Sequence, residues 1–273
     1  MKRIGIFDSG LGGLTVVKEI LQRQCPVDII YLGDTARLPY GTKSQETVEM
    51  FVTQDVAFLI QKDIDALVIA CHTASAYACD TLKNQLDCPV LDVLTPACEE
   101  ALKQTQIGKI GVMATQATVA SGSYPNVLMQ DERCKKISIK ACPLMVALAE
   151  EAWIDSPISY AIIEKYVSDF LETGIDVLIL GCTHFPVFKS VLSDILGDSI
   201  RLIDPAEIIA KSIVNLCMEN MWDTELREPS LEIFVTDDVE QFRKHSEVFM
   251  GTQRCLIQKV NLEVELCLQT LSK

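Results

Sequence analysis

Short apolar runs alternate along this chain with longer stretches whose apolar positions recur at helical spacing. The runs over Ile4–Phe7, Asp28–Leu32, Asp65–Cys71, Cys88–Leu94, Lys109–Met113, Ile137–Ala141, Ile175–Cys182, Ile200–Ile203, Leu231–Thr236 and Cys255–Val260 read as strands. Most lack a polar residue at every second position, so both their faces are covered, as in a parallel sheet. Between them, Leu14–Gln22, Ser44–Lys62, about Ser75–Leu86, Thr95–Gln104, Val119–Met129, Leu144–Trp153, Ser159–Thr173, a segment from Cys182 to about Leu196, Ala206–Met218 and Val239–Phe249 read as helices. The polar stretch 221–230 reads as a connection. Strands that alternate with helices predict parallel α/β sheets.

Two of the strands share a design. Ile64–Ser75 (IDALVIACHTAS) and Ile175–Pro186 (IDVLILGCTHFP) each open with Ile-Asp, continue as an apolar run and end on a cysteine. Aligned without gaps, Asp65, Leu67 and Cys71 fall on Asp176, Leu178 and Cys182. A second echo precedes each copy: Arg3–Ser9 (RIGIFDS) resembles Lys109–Thr115 (KIGVMAT). The pattern therefore restarts near Gly108, which points to two related half-structures, each with one cysteine at a strand end. Boundaries fall near Leu94 and Ala206. The C-terminal segment is expected to rejoin the first half, giving residues 1–94 plus 207–273 as one α/β domain and 95–206 as the other.

Composition narrows the class. With 273 residues, 49% of them hydrophobic and 23% charged, the chain reads as a folded soluble protein. A net charge of -14 argues against non-specific nucleic-acid binding, which needs a positive footprint. The 11 cysteines are an odd number without CxxC spacing. The N-terminus runs straight into a strand, and no apolar run approaches the roughly 20 residues of a membrane span. A reducing, cytoplasmic setting with mostly free thiols is expected.

Ligands of open α/β sheets bind beyond the carboxyl ends of the strands, where both cysteines lie. Two thiols facing each other across a cleft suit one reaction type: a carbon acid loses its proton to one base and regains one from the other on the opposite face. Such inversion needs one thiolate and one thiol, with donors to hold a carboxylate, and neither a metal nor pyridoxal. A free thiol titrates near about 8.5, so each needs a helper. Asp8 is placed to assist one cysteine, and His184 with Glu150 the other. Structural readings stand beside these. Cysteine is often core; Asp8 and Ser9 in DSGLGG suit a helix cap; Tyr40 suits an amphipathic loop; Glu150 suits a solvated helix face; His72 and His184 suit hydrogen-bonded structural roles. A zinc site from Cys71, His72, Cys182 and His184 is the less favoured alternative, because adjacent Cys-His pairs lack the usual ligand spacing.

In order, DSGLGG, LPYG, Cys-x-Thr-Ala-Ser, GVMATQAT, CPLMVALAEE, LGCTHFP and LIDPA resemble the glutamate racemase family, of the cofactor-independent aspartate/glutamate racemase superfamily, over nearly the whole chain. The resemblance implies two pseudo-symmetric three-layer α/β domains with mainly parallel sheets and the active site in the cleft between them. It implies racemisation of glutamate without cofactor or metal, for peptidoglycan. Cys71 and Cys182 would exchange protons, supported by Asp8, His184 and Glu150. Asp8, Ser9, Tyr40, Gly41, His72, Thr73, Thr115, Thr118, Thr183 and His184 would hold the substrate. A homodimer is implied, with no nucleic acid or membrane. The start just before DSGLGG leaves no room for the N-terminal extension of activator-dependent members, so control by a cell-wall precursor is not expected. One departure from the family matters: His72 stands where the family has Asn. His72 is expected to contact the substrate or to lower the pKa of Cys71. Racemisation of a related amino acid such as aspartate, and a non-catalytic binding protein, for instance one acting on gyrase, remain the alternatives.

Overall fold

A computed structural model describes residues 1–220, 222, 229–251 and 255–262. The expected connection over 221–230 lies largely outside the described residues. The strands are β1 (Lys2–Asp8), β2 (Val27–Gly33), β3 (Ala66–Ile69), β4 (Val90–Asp92), β5 (Lys109–Ala114), β6 (Lys136–Ala141), β7 (Val177–Gly181), β8 (Arg201–Ile203), β9 (Leu231–Val235) and β10 (Leu256–Lys259). The helices are α1 (Leu14–Gln22), α2 (Gln45–Ile60), α3 (His72–Gln85), α4 (Leu94–Gln104), α5 (Gln116–Ala120), α6 (Ser123–Leu128), α7 (Pro143–Glu150), α8 (Pro157–Thr173), α9 (Lys189–Leu196), α10 (Pro205–Glu219) and α11 (Val239–Met250).

All strand pairs are parallel, and they form two sheets. One has the order β10-β9-β2-β1-β3-β4, the other β6-β5-β7-β8. The second order repeats the last four positions of the first. The register repeats too. Ile4 of β1 faces Ala66 of β3 and Ile29 of β2. Ile110 of β5, its counterpart in the echo, faces Val177 of β7 and Ile137 of β6. The paired aspartates do the same job in each half. Asp65 accepts the N–H of Arg3 at 2.8 Å, at the start of β1. Asp176 accepts the N–H groups of Gln106 and Ile107 at 2.6 and 3.0 Å, just before β5. The repeat in the sequence is thus a repeat of the fold. β9 and β10 extend the first sheet only.

The two sides of β1 feed different cores, as the period of two requires. Ile4 and Ile6 pack with Val16, Val17 and Ile20 of α1, and this cluster runs on through Ile209 and Ile213 of α10 to Phe170 and Phe188. Phe7 turns the other way, to Val48, Val52 and Val56 of α2 and Leu82 of α3. A third cluster joins Ala97 and Ala101 of α4 to Val112 of β5 and Ile179 of β7. α10 packs on both α1 and α4, so it lies against elements of both halves. No helix among the described residues is long and apolar enough to cross a membrane.

Several boundaries differ from the sequence reading, each for a local reason. α3 starts at His72 rather than near Ser75, because Cys71 itself is the extended cap residue (φ -70°, ψ 120°). β4 stops at Asp92, whose carboxylate accepts the N–H groups of Leu94 and Thr95 at 2.9 and 2.7 Å and starts α4 early. The single helix expected over Val119–Met129 is two, α5 and α6, divided by Gly122 in the left-handed region at φ +69°. A 3-10 turn, Phe185–Phe188, precedes α9. Glu150 is the last residue of α7, and Glu151 lies beyond it.

Candidate active site

The turn from β3 into α3 places one sulfur. Cys71 caps α3, so its Sγ lies at a helix N-terminus, where the partial positive charge favours an anion. The thiol donates to Ser9 Oγ at 3.8 Å. Burial pushes Cys71 up to about 12, with the charge of Asp8 adding to it; the Ala74 N–H and Ser9 pull the other way. At rest Cys71 is therefore a thiol. Asp8, at the end of β1, accepts from the Gly10 N–H at 3.0 Å and from Thr183 Oγ1 at 3.1 Å. Burial raises the Asp8 carboxyl above its ordinary range, opposed by His184 and by N–H groups of the glycine turn.

The second sulfur has a different neighbour. Cys182 follows β7 directly, and Nδ1 of His184 lies 3.7 Å from its Sγ. Nε2 of the same ring faces Glu150 Oε1 at 3.3 Å, an ion-pair contact without the direction of a hydrogen bond. Burial alone would lower His184. The contacts with Cys182 and Glu150 outweigh it and push the imidazole up to about 10. Phe249 meets the ring edge to face at 5.3 Å. The result is a buried cation beside Cys182, where a thiolate would find its counter-charge.

Both cysteines line one cavity. Ser9, Gly41, His72 and Thr73 border it on the side of the six-stranded sheet; Thr115, Thr183 and His184 border it on the other. Its volume is about 20 Å³, room for about one water. Wider hollows exist, including one of about 330 Å³ bordered by Leu11, Leu38, Glu150 and Phe242. Size does not decide here: the small cavity brings together two cysteines from equivalent strand ends of the two halves, with hydroxyls and an imidazole around them. Two glycines let the halves close on it. A Cβ on Gly12 would overlap Thr183 Oγ1 and stand 2.6 Å from His184 Nδ1. A Cβ on Gly41 would stand 2.6 Å from Thr115 Cβ. Three hydroxyls complete the seam: Thr73 to Thr115 at 3.0 Å, Thr73 to Thr118 at 3.0 Å and Thr115 to Thr118 at 2.9 Å.

The family model described as Asp/Glu/Hydantoin racemase matches residues 9–213. The chain belongs to this racemase family. A glutamate racemase of Geobacter metallireducens is 39% identical over 269 residues, covering 97% of this chain and 98% of that one. A glutamate racemase of Bacillus anthracis superposes with a TM-score of 0.91 at 34% identity, covering 96% of this chain and 98% of that one. A glutamate racemase of Francisella tularensis, solved with D-glutamate, gives 0.89 at 36%, with the same coverage.

Four of the residues picked out from the sequence stand behind the wall of this racemase-family cavity rather than in it. Asp8 is hydrogen-bonded to Thr183, and Thr118 to Thr73 and Thr115, which do line it. Glu150 lies beyond His184. The Tyr40 hydroxyl is committed to two buried carboxylates, Asp34 and Asp55 (2.8 Å to the latter), which Arg37 also bridges. This network fixes the 39–42 turn, and Pro39 and Gly41 are what the turn gives the cavity. His72 does line the cavity, yet neither ring nitrogen has a hydrogen-bond partner. Burial lowers it to about 3, so the ring is neutral. The expectation that His72 lowers the Cys71 pKa is therefore corrected, because a neutral ring carries no charge to do so. The ring stacks on Tyr124 with centroids 6.5 Å apart. Val146 of α7 also borders the cavity. It passed unnoticed because an apolar residue in an apolar helix carries no signal of its own. No group of three or more His, Cys, Asp or Glu side chains among the described residues could hold a metal ion.

Proposed function

We propose that this chain interconverts L- and D-glutamate by two-base proton transfer between Cys71 and Cys182, without a cofactor. The observation that carries this reading is the shared cavity: two cysteines at equivalent strand ends of a duplicated fold open onto one space with unequal partners. One base has to be deprotonated and the other protonated at the start of each turnover. Cys71 is held as a thiol by burial and by Asp8. Cys182 has the His184 cation beside it. In one direction the Cys182 thiolate removes the α-proton and the Cys71 thiol delivers its own to the opposite face of the carbanion. The reverse direction exchanges these roles. Ser9, Thr73, Thr115 and Thr183, with the N–H groups of the glycine turn, supply donors for the carboxylates. Glutamate is larger than a 20 Å³ cavity. The halves 1–94 plus 207–273 and 95–206 therefore part to admit it and close to exclude water.

The glutamate racemases to which the chain is similar, one of them solved with D-glutamate, support glutamate as substrate. The D-glutamate would enter peptidoglycan, in the cytoplasm, from a homodimer with no nucleic-acid or membrane partner. One observation favours a second reading, racemisation of aspartate: the His72 ring takes more of the cavity than the family Asn would, which suits a shorter side chain. Turnover of the two amino acids by purified protein, without added cofactor, decides between them. Glutamate is expected to be preferred. Preference for aspartate would establish the second reading, and turnover of neither would end both.

A further inference from the structure

A second pair of thiols lies outside the cavity. Cys25, in the turn between α1 and β2, and Cys217, near the end of α10, bring their sulfurs to 3.5 Å across 192 residues of sequence. Both side chains are largely buried, but a surface hollow of about 260 Å³, bordered by Arg23, Pro26, Met218 and Trp222, opens onto both. A small reagent can therefore reach two sulfurs already in contact. We propose that Cys25 and Cys217 are a reversible disulfide site, closed by a peroxide, which staples α10 to the start of β2 in the six-stranded sheet.

The sulfurs need to approach from 3.5 Å to about 2.05 Å to bond. The contact itself differentiates the two thiols. Either sulfur can donate in this contact, and the one left as acceptor is favoured as a thiolate. With Cys217 in that role, its sulfur attacks. It breaks the peroxide O–O bond and becomes a sulfenic acid, releasing one water from hydrogen peroxide. Cys25 then displaces the second oxygen as water and forms the S–S bond. Two thiols lose two electrons and two protons; one peroxide becomes two waters. The bond joins the sheet to a helix that packs on α1 and α4 and so touches both halves of the molecule.

The test uses the full chain, reduced, freed of reductant and treated with hydrogen peroxide. Remaining thiols are alkylated, and the digest is mapped by mass spectrometry with and without dithiothreitol. The expected result is a peptide pair joining Cys25 to Cys217 that dithiothreitol separates. Its formation should raise the unfolding midpoint of the oxidised protein above that of the reduced one. Cys25→Ser and Cys217→Ser should each abolish both the pair and the rise. Turnover is a poor readout, because peroxide also attacks the cleft thiols. Recovery of both cysteines as alkylated thiols after other cysteines have oxidised would overturn the proposal. So would their recovery as separate sulfinic acids, or in disulfides with other residues. Mapping of the unsubstituted protein decides the matter even if a serine variant fails to fold.

Discussion

Nδ1 of His184 lies 3.7 Å from the sulfur of Cys182, while the sulfur of Cys71 meets the hydroxyl of Ser9, at 3.8 Å, and the N–H of Ala74. The two cysteines hold equivalent places in a duplicated fold and yet differ in their helpers. The cleft is thus built from two similar frames with dissimilar electrostatics. An uneven pair is what a reaction with one thiolate and one thiol requires.

That unevenness should appear in isotope effects. Enantiomers have equal free energies, so kcat/KM must be the same in both directions, whatever the helpers do. Glu150→Gln removes one of the contacts that hold the His184 proton. The His184 titration should then move down from about 10, carrying the alkaline limb of the rate profile to lower pH. The primary deuterium isotope effect should change in one direction more than in the other. Equal changes in both directions, with an unmoved profile, would show that Glu150 does not act through His184. Linkage gives a companion result. A His raised in the folded state adds stability that is complete below its unfolded value of about 6.5 and disappears as pH rises through about 10. The stability difference between the unsubstituted protein and His184→Asn should shrink across that window, read as unfolding midpoints against pH.

His72 should show the opposite slope. Burial lowers it to about 3 in the fold, while the unfolded chain takes up the proton near about 6.5. Between those values the unfolded state binds more protons, so stability falls as pH drops through the window. His72→Asn removes that acid-side loss. Urea midpoints from pH 7 to pH 4 should fall less steeply in the variant. Parallel curves would mean that the ring is solvated and charged in the folded protein.

Gly41→Ala probes the closure of the two halves. The added methyl would stand 2.6 Å from Thr115 Cβ, across the seam. Relieving such a contact costs about 1–3 kcal/mol, or about a 10–100-fold loss of kcat/KM if the strain falls on the closed form alone. Steady-state kinetics beside a melting curve separate the outcomes. A large kinetic loss with a nearly unchanged midpoint is expected. The reverse would place the strain in the fold rather than in the closure.

Tyr40→Phe asks whether that hydroxyl serves the substrate or the scaffold. The change strips one donor from Asp34 and Asp55, both fully buried. Leaving buried acceptors short of a donor costs about 1–3 kcal/mol, or roughly 2–4 °C in midpoint per kcal/mol for a chain of this size. The midpoint should fall and KM for glutamate should stay near its original value. A raised KM with an intact midpoint would return the hydroxyl to the substrate.

Much of this site could be read before any coordinates. Cys71 and Cys182 stood out because two apolar runs end on cysteine in the same frame, and β3 and β7 keep that frame in their registers with β1 and β5. Glycine, threonine and histidine beside them carried their own chemistry. What escaped the sequence depended on distance or burial. Nothing in LPYG says that the Tyr40 hydroxyl turns toward Asp34 and Asp55 rather than the cleft. Nothing around His72 says how completely it is desolvated, and that desolvation decides its charge. Gly122 sits in a helical pattern, where only its left-handed φ reveals the break. Cys25 and Cys217 are too far apart in sequence for any local pattern to join them.

The most direct measurement is deuterium at the α-carbon. Purified protein is given L-glutamate in deuterated water, without cofactor, and both enantiomers are isolated at low conversion. Two opposed thiols predict that D-glutamate carries deuterium from its first appearance while the remaining L-glutamate keeps its proton, and that Cys71→Ala and Cys182→Ala each lower the rate by at least about 10²–10⁴-fold. D-glutamate that keeps its original proton, or full activity in either variant, would contradict the account.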